Sequence, residues 1–265
     1  MLFHTLALVL FATSPALILS LQCIQCKENI VVNYTVTSET VPSFAHCQYN
    51  TSLARQCFIR VTWDQINNTT TLWVDSFYFS SPKASVRGSE DLNAATVLRV
   101  SPDRHAPSLE HLLEYDCSSE DRCNNETNLK KILQSLIIKD RFLQEITPIL
   151  KIISPFDPKS AECFDFNNAS LFCDKKDLNN CPHCSSTVTR FNPFDVEVCQ
   201  TCPSDGYREN IAMRFVGFQF ITRKNIFDSV DCSCQLKGCN SIENSNKIYN
   251  ASQITFDFDK FYNSS

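Results

Sequence analysis

Cys181-Pro182-His183-Cys184 has the form of a thiol–disulfide exchange site, two cysteines with an imidazole between them. That chemistry needs the first sulfur at a helix N-terminus, where the dipole holds it as a low-pKa thiolate. Such a site follows a buried strand, yet the preceding Lys175 to Asn180 is polar. Cys181 and Cys184, taken with Cys199 and Cys202, also lie close to zinc-ribbon spacing, in which four thiolates form a tetrahedron. Beyond the first twenty residues the imidazoles are His46, His105, His111 and His183, and none stands in a His-Glu-x-x-His zinc arrangement. His111 beside Glu110 and Glu114 would suit a metal or a general base, but its neighbours Leu112 and Leu113 read as an ordinary element edge. Asp257 and Asp259 alternate with Phe256 and Phe258, a conceivable calcium site that reads first as a solvated strand face or tail. Only 4 glycines occur, Gly88, Gly206, Gly217 and Gly238, too far apart for a phosphate-cradling loop or a nucleophile elbow. A net charge of -5 gives no electrostatic footprint for nucleic acid. The expectation is a chain with no catalytic residue, no metal and no cofactor.

The elements that carry these residues are set by sulfur and by compartment. Residues 1–20 read as a secretory signal: Leu6 to Ala12 form an apolar core, Pro15 breaks it, and Ser20 precedes a cut at Leu21. No later stretch reaches the roughly 18 apolar residues of a spanning helix. The charged run Phe256 to Lys260 does not suit a glycolipid-anchor signal. All 15 cysteines lie beyond the signal, where an oxidising compartment pairs them. Asn-x-Ser/Thr glycan acceptors occur at Asn33, Asn50, Asn67, Asn68, Asn125, Asn168, Asn250 and Asn263. The expected location is extracellular, and in that setting structural cystines outweigh both the exchange site and the zinc ribbon.

The cysteines divide into an even set, Cys23, Cys26, Cys47, Cys57, Cys117 and Cys123, and an odd one, Cys163, Cys173, Cys181, Cys184, Cys199, Cys202, Cys232, Cys234 and Cys239. Spacing alone leaves the pairing open, and the odd set leaves one thiol free or joined to another chain. Each set closes on a Cys-Asn, at Cys123-Asn124 and Cys239-Asn240. Between them Leu129, Ile132, Leu133, Leu136, Leu143, Ile146, Leu150 and Ile153 fall at helical spacing near Lys130, Lys131, Lys139 and Arg141. This predicts an amphipathic helix that Pro148 kinks or ends near Thr147, packing its stripe on a neighbouring module rather than exposing it to a membrane. Most of the rest reads as strand. Ile30, Val32, Tyr34 and Val36 alternate with polar positions and set Asn33 on the opposite face. Cys57 to Asp64 and Thr71 to Phe79 are strands, with the polar run Asn67 to Thr70 as the hairpin tip. Ile211 to Thr222 is the clearest strand of the second half. With glycine scarce, asparagine is expected at left-handed turn positions.

The opening Leu21-Gln22-Cys23-Ile24-Gln25-Cys26 and the closing Cys117-x5-Cys123-Asn124 resemble the three-finger family of lymphocyte-antigen and urokinase-receptor type. The likeness covers about residues 21–125 and implies a small disulfide knot with β-hairpin fingers. It also implies the pairs Cys26 with Cys47, Cys23 with Cys57 and Cys117 with Cys123. This chain departs from the family in its long Cys57-to-Cys117 gap and in lacking a Cys-Cys doublet. The close Cys232-x-Cys234-x4-Cys239-Asn240 more loosely resembles the ET module of nematode secreted proteins, and a divergent second three-finger domain is the other candidate. Neither resemblance implies catalysis; three-finger domains bind proteins or receptors.

The expectation is a mainly β, disulfide-rich chain: signal 1–20, a cysteine-rich module 21–127, a helical linker 128–160, a second cysteine-rich module 161–241 and a tail 242–265. Its expected work is non-enzymatic binding of an extracellular protein or receptor, with Trp63, Trp73, Phe77 and Tyr78 as candidate contacts or, alternatively, as core. The rivals are an exchange enzyme using Cys181 and Cys184, and a matrix or coat component that forms a disulfide-linked dimer or larger array through the odd cysteine.

Overall fold

The computed structural model describes residues 21–54, 56–77, 90–101, 106–150, 163–168, 173, 181, 183–192, 195–202 and 210–264. The expected signal, residues 1–20, and Tyr78, His105 and Ile153 lie outside the described residues. In chain order the first half forms β1 (Leu21–Gln25), β2 (Ile30–Val32), β3 (Gln48–Ala54), β4 (Gln56–Asp64), β5 (Thr69–Phe77), β6 (Glu90–Val100) and β7 (Ser108–Cys117). Then come α1 (Glu126–Ser135), β8 (Leu136–Asp140), α2 (Phe142–Glu145) and α3 (Thr147–Leu150). The second half forms β9 (Phe166–Asn167), β10 (Cys184–Asn192), β11 (Asp195–Thr201), β12 (Asn210–Gln219), β13 (Lys224–Cys234), α4 (Ile242–Ala251), β14 (Ser252–Phe256) and α5 (Phe258–Asn263). The chain is mainly β and disulfide-rich.

One antiparallel sheet runs through both cysteine sets, in the order β2-β5-β4-β7-β6-β12-β13-β10-β11-β9. Each half contributes four consecutive strands in the same order, second, first, fourth, third. The halves meet where β6 lies antiparallel to β12, with Asn210 opposite Val100 and Gln219 opposite Asp91. This register puts the Cys57–Cys117 end of the first half beside the hairpin-tip end of the second. Alternation makes these segments strands: β4 buries Cys57, Ile59, Val61 and Trp63 on one face, and β-branched and aromatic residues fit that half-buried pleat. At the β4–β5 tip Asn68 adopts φ 51°, in the left-handed region where asparagine is tolerated better than most side chains. Gly217 is required for a different reason: a Cβ there would collide with the ring of Phe227.

The two halves repeat each other after the last strand as well. Asn124 follows Cys123, and its buried side chain accepts from the Ile24 N–H at 2.9 Å and donates to the carbonyls of Ile24, Phe58 and Asp75. Asn240 follows Cys239 and likewise accepts from the Phe164 N–H at 3.0 Å and donates to the carbonyls of Phe164 and Ser185. Each asparagine ties its closing cysteine loop to the opening segment of its own half. Each is followed by a capped helix: the Asn125 Oδ1 accepts from the Asn128 N–H, and the Ser241 Oγ from the Asn244 N–H. A strand comes next in each, and the two strands, β8 and β14, pair antiparallel with Ile138 opposite Ile254.

The expected linker helix is therefore corrected. Only Glu126–Ser135 continues as α1; Leu136, Ile137 and Ile138 enter β8, and α2 and α3 are short turns of helix. Three consecutive aliphatics satisfy a helical template and a strand template alike, and the partner strand β14 decides between them. The apolar stripe is buried, as expected of a packed segment: Leu129, Ile132, Ile146 and Leu150 are all core. The expected tail 242–265 is corrected too, because it contains α4, β14 and α5. Asp257 is the N-cap of α5, its carboxylate accepting from the Lys260 N–H, and Phe256 and Phe258 pack inward.

These terminal elements cross between halves. Ile254 and Phe261 complete the core formed by Leu72, Leu92, Leu113, Leu129 and Ile132 of the first half. Phe142, Ile146 and Leu150 complete the core formed by Val230, Cys232 and Ile248 of the second. Correspondingly, α5 packs on α1 and α2 on α4. Separate modules strung on one helix do not describe this chain. Within the second half a buried ion pair anchors the start of β14: Arg214 on β12, 7% exposed, donates through Nε and Nη2 to the two Asp228 carboxylate oxygens, and through Nη1 to the carbonyls of Tyr249 and Ser252.

Candidate functional site

All sulfurs but one are paired, and every pair stays within its own half. The first half holds Cys23–Cys57, Cys26–Cys47 and Cys117–Cys123, the pairs implied by the three-finger resemblance. The second holds Cys163–Cys184, Cys173–Cys199, Cys181–Cys202 and Cys234–Cys239. Cys181 and Cys184 belong to different bridges, so they form no exchangeable pair. The would-be ribbon ligands Cys199 and Cys202 are consumed in the same way. Burial pushes the His183 pKa down, which keeps the imidazole neutral. Among the described residues Cys26, His46 and Cys47 also converge, but these two sulfurs are bonded to each other. The odd cysteine is Cys232, 1% exposed. Burial, with Asp231 adding to it, pushes its thiol pKa up to about 12, so it carries almost no thiolate at neutral pH and is out of reach of a second chain.

The sequence-predicted aromatic contacts separate. Trp63 is 6% exposed and its indole N–H donates to the Val36 carbonyl at 2.9 Å. It walls a cavity of about 290 Å³ near the β4–β5 tip, together with Val36, Leu133, Leu136 and Ile138. Thr35, Thr37, Gln65 and His111 supply the polar part of the lining. The Gln65 amide lies 3.2 Å from His111 Nδ1, and His111 Nε2 lies 2.5 Å from an Asp140 carboxylate oxygen. Both ring nitrogens are thereby engaged. His111 ties β7 to β8 and presents no free lone pair to the cavity, which removes the general base that Glu110 and Glu114 had suggested. Nothing local in the sequence signals Asp140 as its partner; the pair depends on how β8 lands on the sheet.

Trp73 and Phe77 lie on the other sheet face. Trp73 is 37% exposed, and the Phe58 ring meets its edge at 5.2 Å while stacking on Phe77 at 4.2 Å. The Arg60 guanidinium lies 5.2 Å from the Trp73 centroid and pairs with Glu114. A second groove, of about 450 Å³, opens beside Trp73 and Asp75 toward the segments around β1 and β2. Of the expected glycan acceptors, Asn33, Asn67, Asn68, Asn168, Asn250 and Asn263 are exposed, whereas Asn50 and Asn125 are half-buried. No helix among the described residues is long and apolar enough to cross a membrane. Comparison of the chain with family models, with curated proteins and with solved structures found no match.

Proposed function

We propose that the protein is a secreted glycoprotein that works without catalysis, by binding another extracellular protein. The observation that carries this reading is the cavity walled by Trp63. It is apolar at its walls, with Thr35, Thr37, Gln65 and His111 as its hydrogen-bonding groups, and the exposed Tyr34 and Ile66 are chain neighbours of the lining residues Thr35 and Gln65. A pocket of this kind takes one large apolar side chain of a partner, the anchor that dominates protein–protein affinity. Hydrogen bonds support it by ordering the lining, the Trp63 indole on the Val36 carbonyl and His111 between Gln65 and Asp140, which lowers the ordering cost of association. The exposed acceptor asparagines suit an exported, glycosylated surface, and the three-finger resemblance of residues 21–125 points to the same class of activity. The buried thiol and the separate bridges of Cys181 and Cys184 weigh against covalent assembly and thiol exchange.

The test is to immobilise the glycosylated protein, collect the cell-surface and secreted proteins it retains, and measure affinity for each by surface plasmon resonance. Thr37 is exposed beside the cavity, so Thr37→Trp blocks the socket without disturbing the core. It is expected to weaken a true partner by about tenfold or more, the size of one hot-spot contact. Lys237→Ala, in the other half of the chain, is expected to change nothing. Equal binding by wild type and Thr37→Trp would refute the socket.

A further inference from the structure

The groove beside Trp73 has a different chemistry from the Trp63 cavity. Arg60 is the cross-strand neighbour of Trp73 on the β4 side, and the groove opens on the side of β1 and β2. Its polar lining combines the amides of Gln25, Asn29 and Gln48, the Asp75 carboxylate, the Lys27 ammonium and His46. A purely apolar ligand would strip water from all of these without replacing their hydrogen bonds. An anion would meet Asp75, and a cation would meet Lys27 with Arg60 close by. A polyol avoids both conflicts, because each hydroxyl donates and accepts, and amide side chains do the same. Its C–H face is the apolar surface that a half-exposed indole can cover.

We propose that this groove binds a neutral carbohydrate, with Trp73 as the platform under one sugar ring and Asp75, Gln48, Gln25 and Lys27 bonding its hydroxyls. Asp75 is already oriented for this, since its carboxylate accepts from the Trp73 indole N–H at 3.4 Å and from the Ser76 N–H at 2.7 Å. The sugar has two potential sources. One is a glycan on another molecule. The other is a glycan on Asn50, a half-buried acceptor whose Nδ2 donates to the Gln25 Oε1 at 3.1 Å and so sits at the rim of the groove.

The experiment uses the whole glycoprotein from a secreting cell line, before and after enzymatic deglycosylation, and the Asn50→Gln variant. Triacetylchitotriose, mannotriose and a sulfated disaccharide are titrated against each, followed by tryptophan fluorescence and calorimetry. The expected result is saturable binding of a neutral trisaccharide, weakened at least tenfold by Trp73→Ala and by Gln48→Ala, and largely kept by Trp73→Phe. Gln48 is exposed, so its variant separates loss of the site from loss of the fold. Binding to the untreated protein assigns the groove to a glycan from outside. Binding only after deglycosylation, or only in Asn50→Gln, assigns it to the chain's own glycan. No binding by any form, preference for the sulfated sugar, or binding as tight as wild type by the Trp73→Ala and Gln48→Ala proteins would overturn the proposal. Each outcome is independent of whether the Trp63 socket binds a protein.

Discussion

Asp116 on β7 and Asp91 on β6 stand directly opposite each other on the sheet face that carries Trp73. Burial, helped by the nearby charges of Glu114 and Asp91, raises the Asp116 pKa to about 7 even though Arg60 acts in the other direction. Burial also raises Asp91, partly offset by a hydrogen bond from Gln219. A carboxyl group whose folded pKa exceeds its unfolded value of about 4 binds its proton more tightly when folded. Its contribution is complete below about pH 4 and is lost as pH rises toward about 7. Asp116→Asn keeps the shape and removes the charge. The variant is expected to be more stable than wild type at about pH 8 and nearly equal to it at about pH 4, as measured by urea denaturation. A wild-type stability that climbs between those values, with no difference in the variant, would contradict this account. No sequence pattern announces the pair, because Asp91 and Asp116 become neighbours only through the β6–β7 register. The Cys-Asn endings are legible as motifs, yet the work of Asn124 and Asn240, bonding an opening segment about a hundred or fewer residues away, requires the fold.

At the level of elements, hairpins built on strict alternation are readable from the sequence, and β4, β5 and β12 lie close to their expected limits. The segment 136–140 is not readable in isolation, since Leu136-Ile137-Ile138 becomes a strand through its pairing with Ser252–Phe256. The consequence is a strong dependence of the first half on residues near position 260. Removing residues 251–265 deletes Ile254 and Phe261 from its core and uncovers Leu129 and Ile132. At about 1.5–3 kcal/mol for each fully buried large side chain, the loss is on the order of 5 kcal/mol. That equals the whole net stability of many domains. The truncated chain is expected to bind a hydrophobic dye and to melt without a cooperative transition, even though it retains every cysteine. A sharp melt at the wild-type temperature would refute the crossed packing.

For the molecule as a whole, the sulfur map and the packing give opposite impressions of how many units there are. By their bridges there are two, because no disulfide joins a residue before Asn128 to one after Ser160. Non-covalently there is one, held by β6 on β12, β8 on β14 and the exchanged helices. Cysteine counting reads the first correctly and misses the second, because interstrand hydrogen bonds between halves leave no mark in residue spacing. An engineered protease site between Lys151 and Ser160 tests both statements. After cutting, the fragments should separate on a non-reducing denaturing gel, yet elute as a single species of unchanged size under native conditions. Separation in native buffer would show that the shared sheet is too weak to hold the halves together.

The reciprocal exchange of β8–α3 and β14–α5 also sets an order on biosynthesis. When the ribosome has released the first half, its cystines can close, but the pocket for Ile254 and Phe261 is still empty. Apolar surface left open in this way invites chaperone binding, and domain-by-domain folding during translation is blocked. Folding must wait until the segment beyond position 250 arrives, so any premature stop before it leaves a correctly cross-linked but unfinished product for quality control to remove.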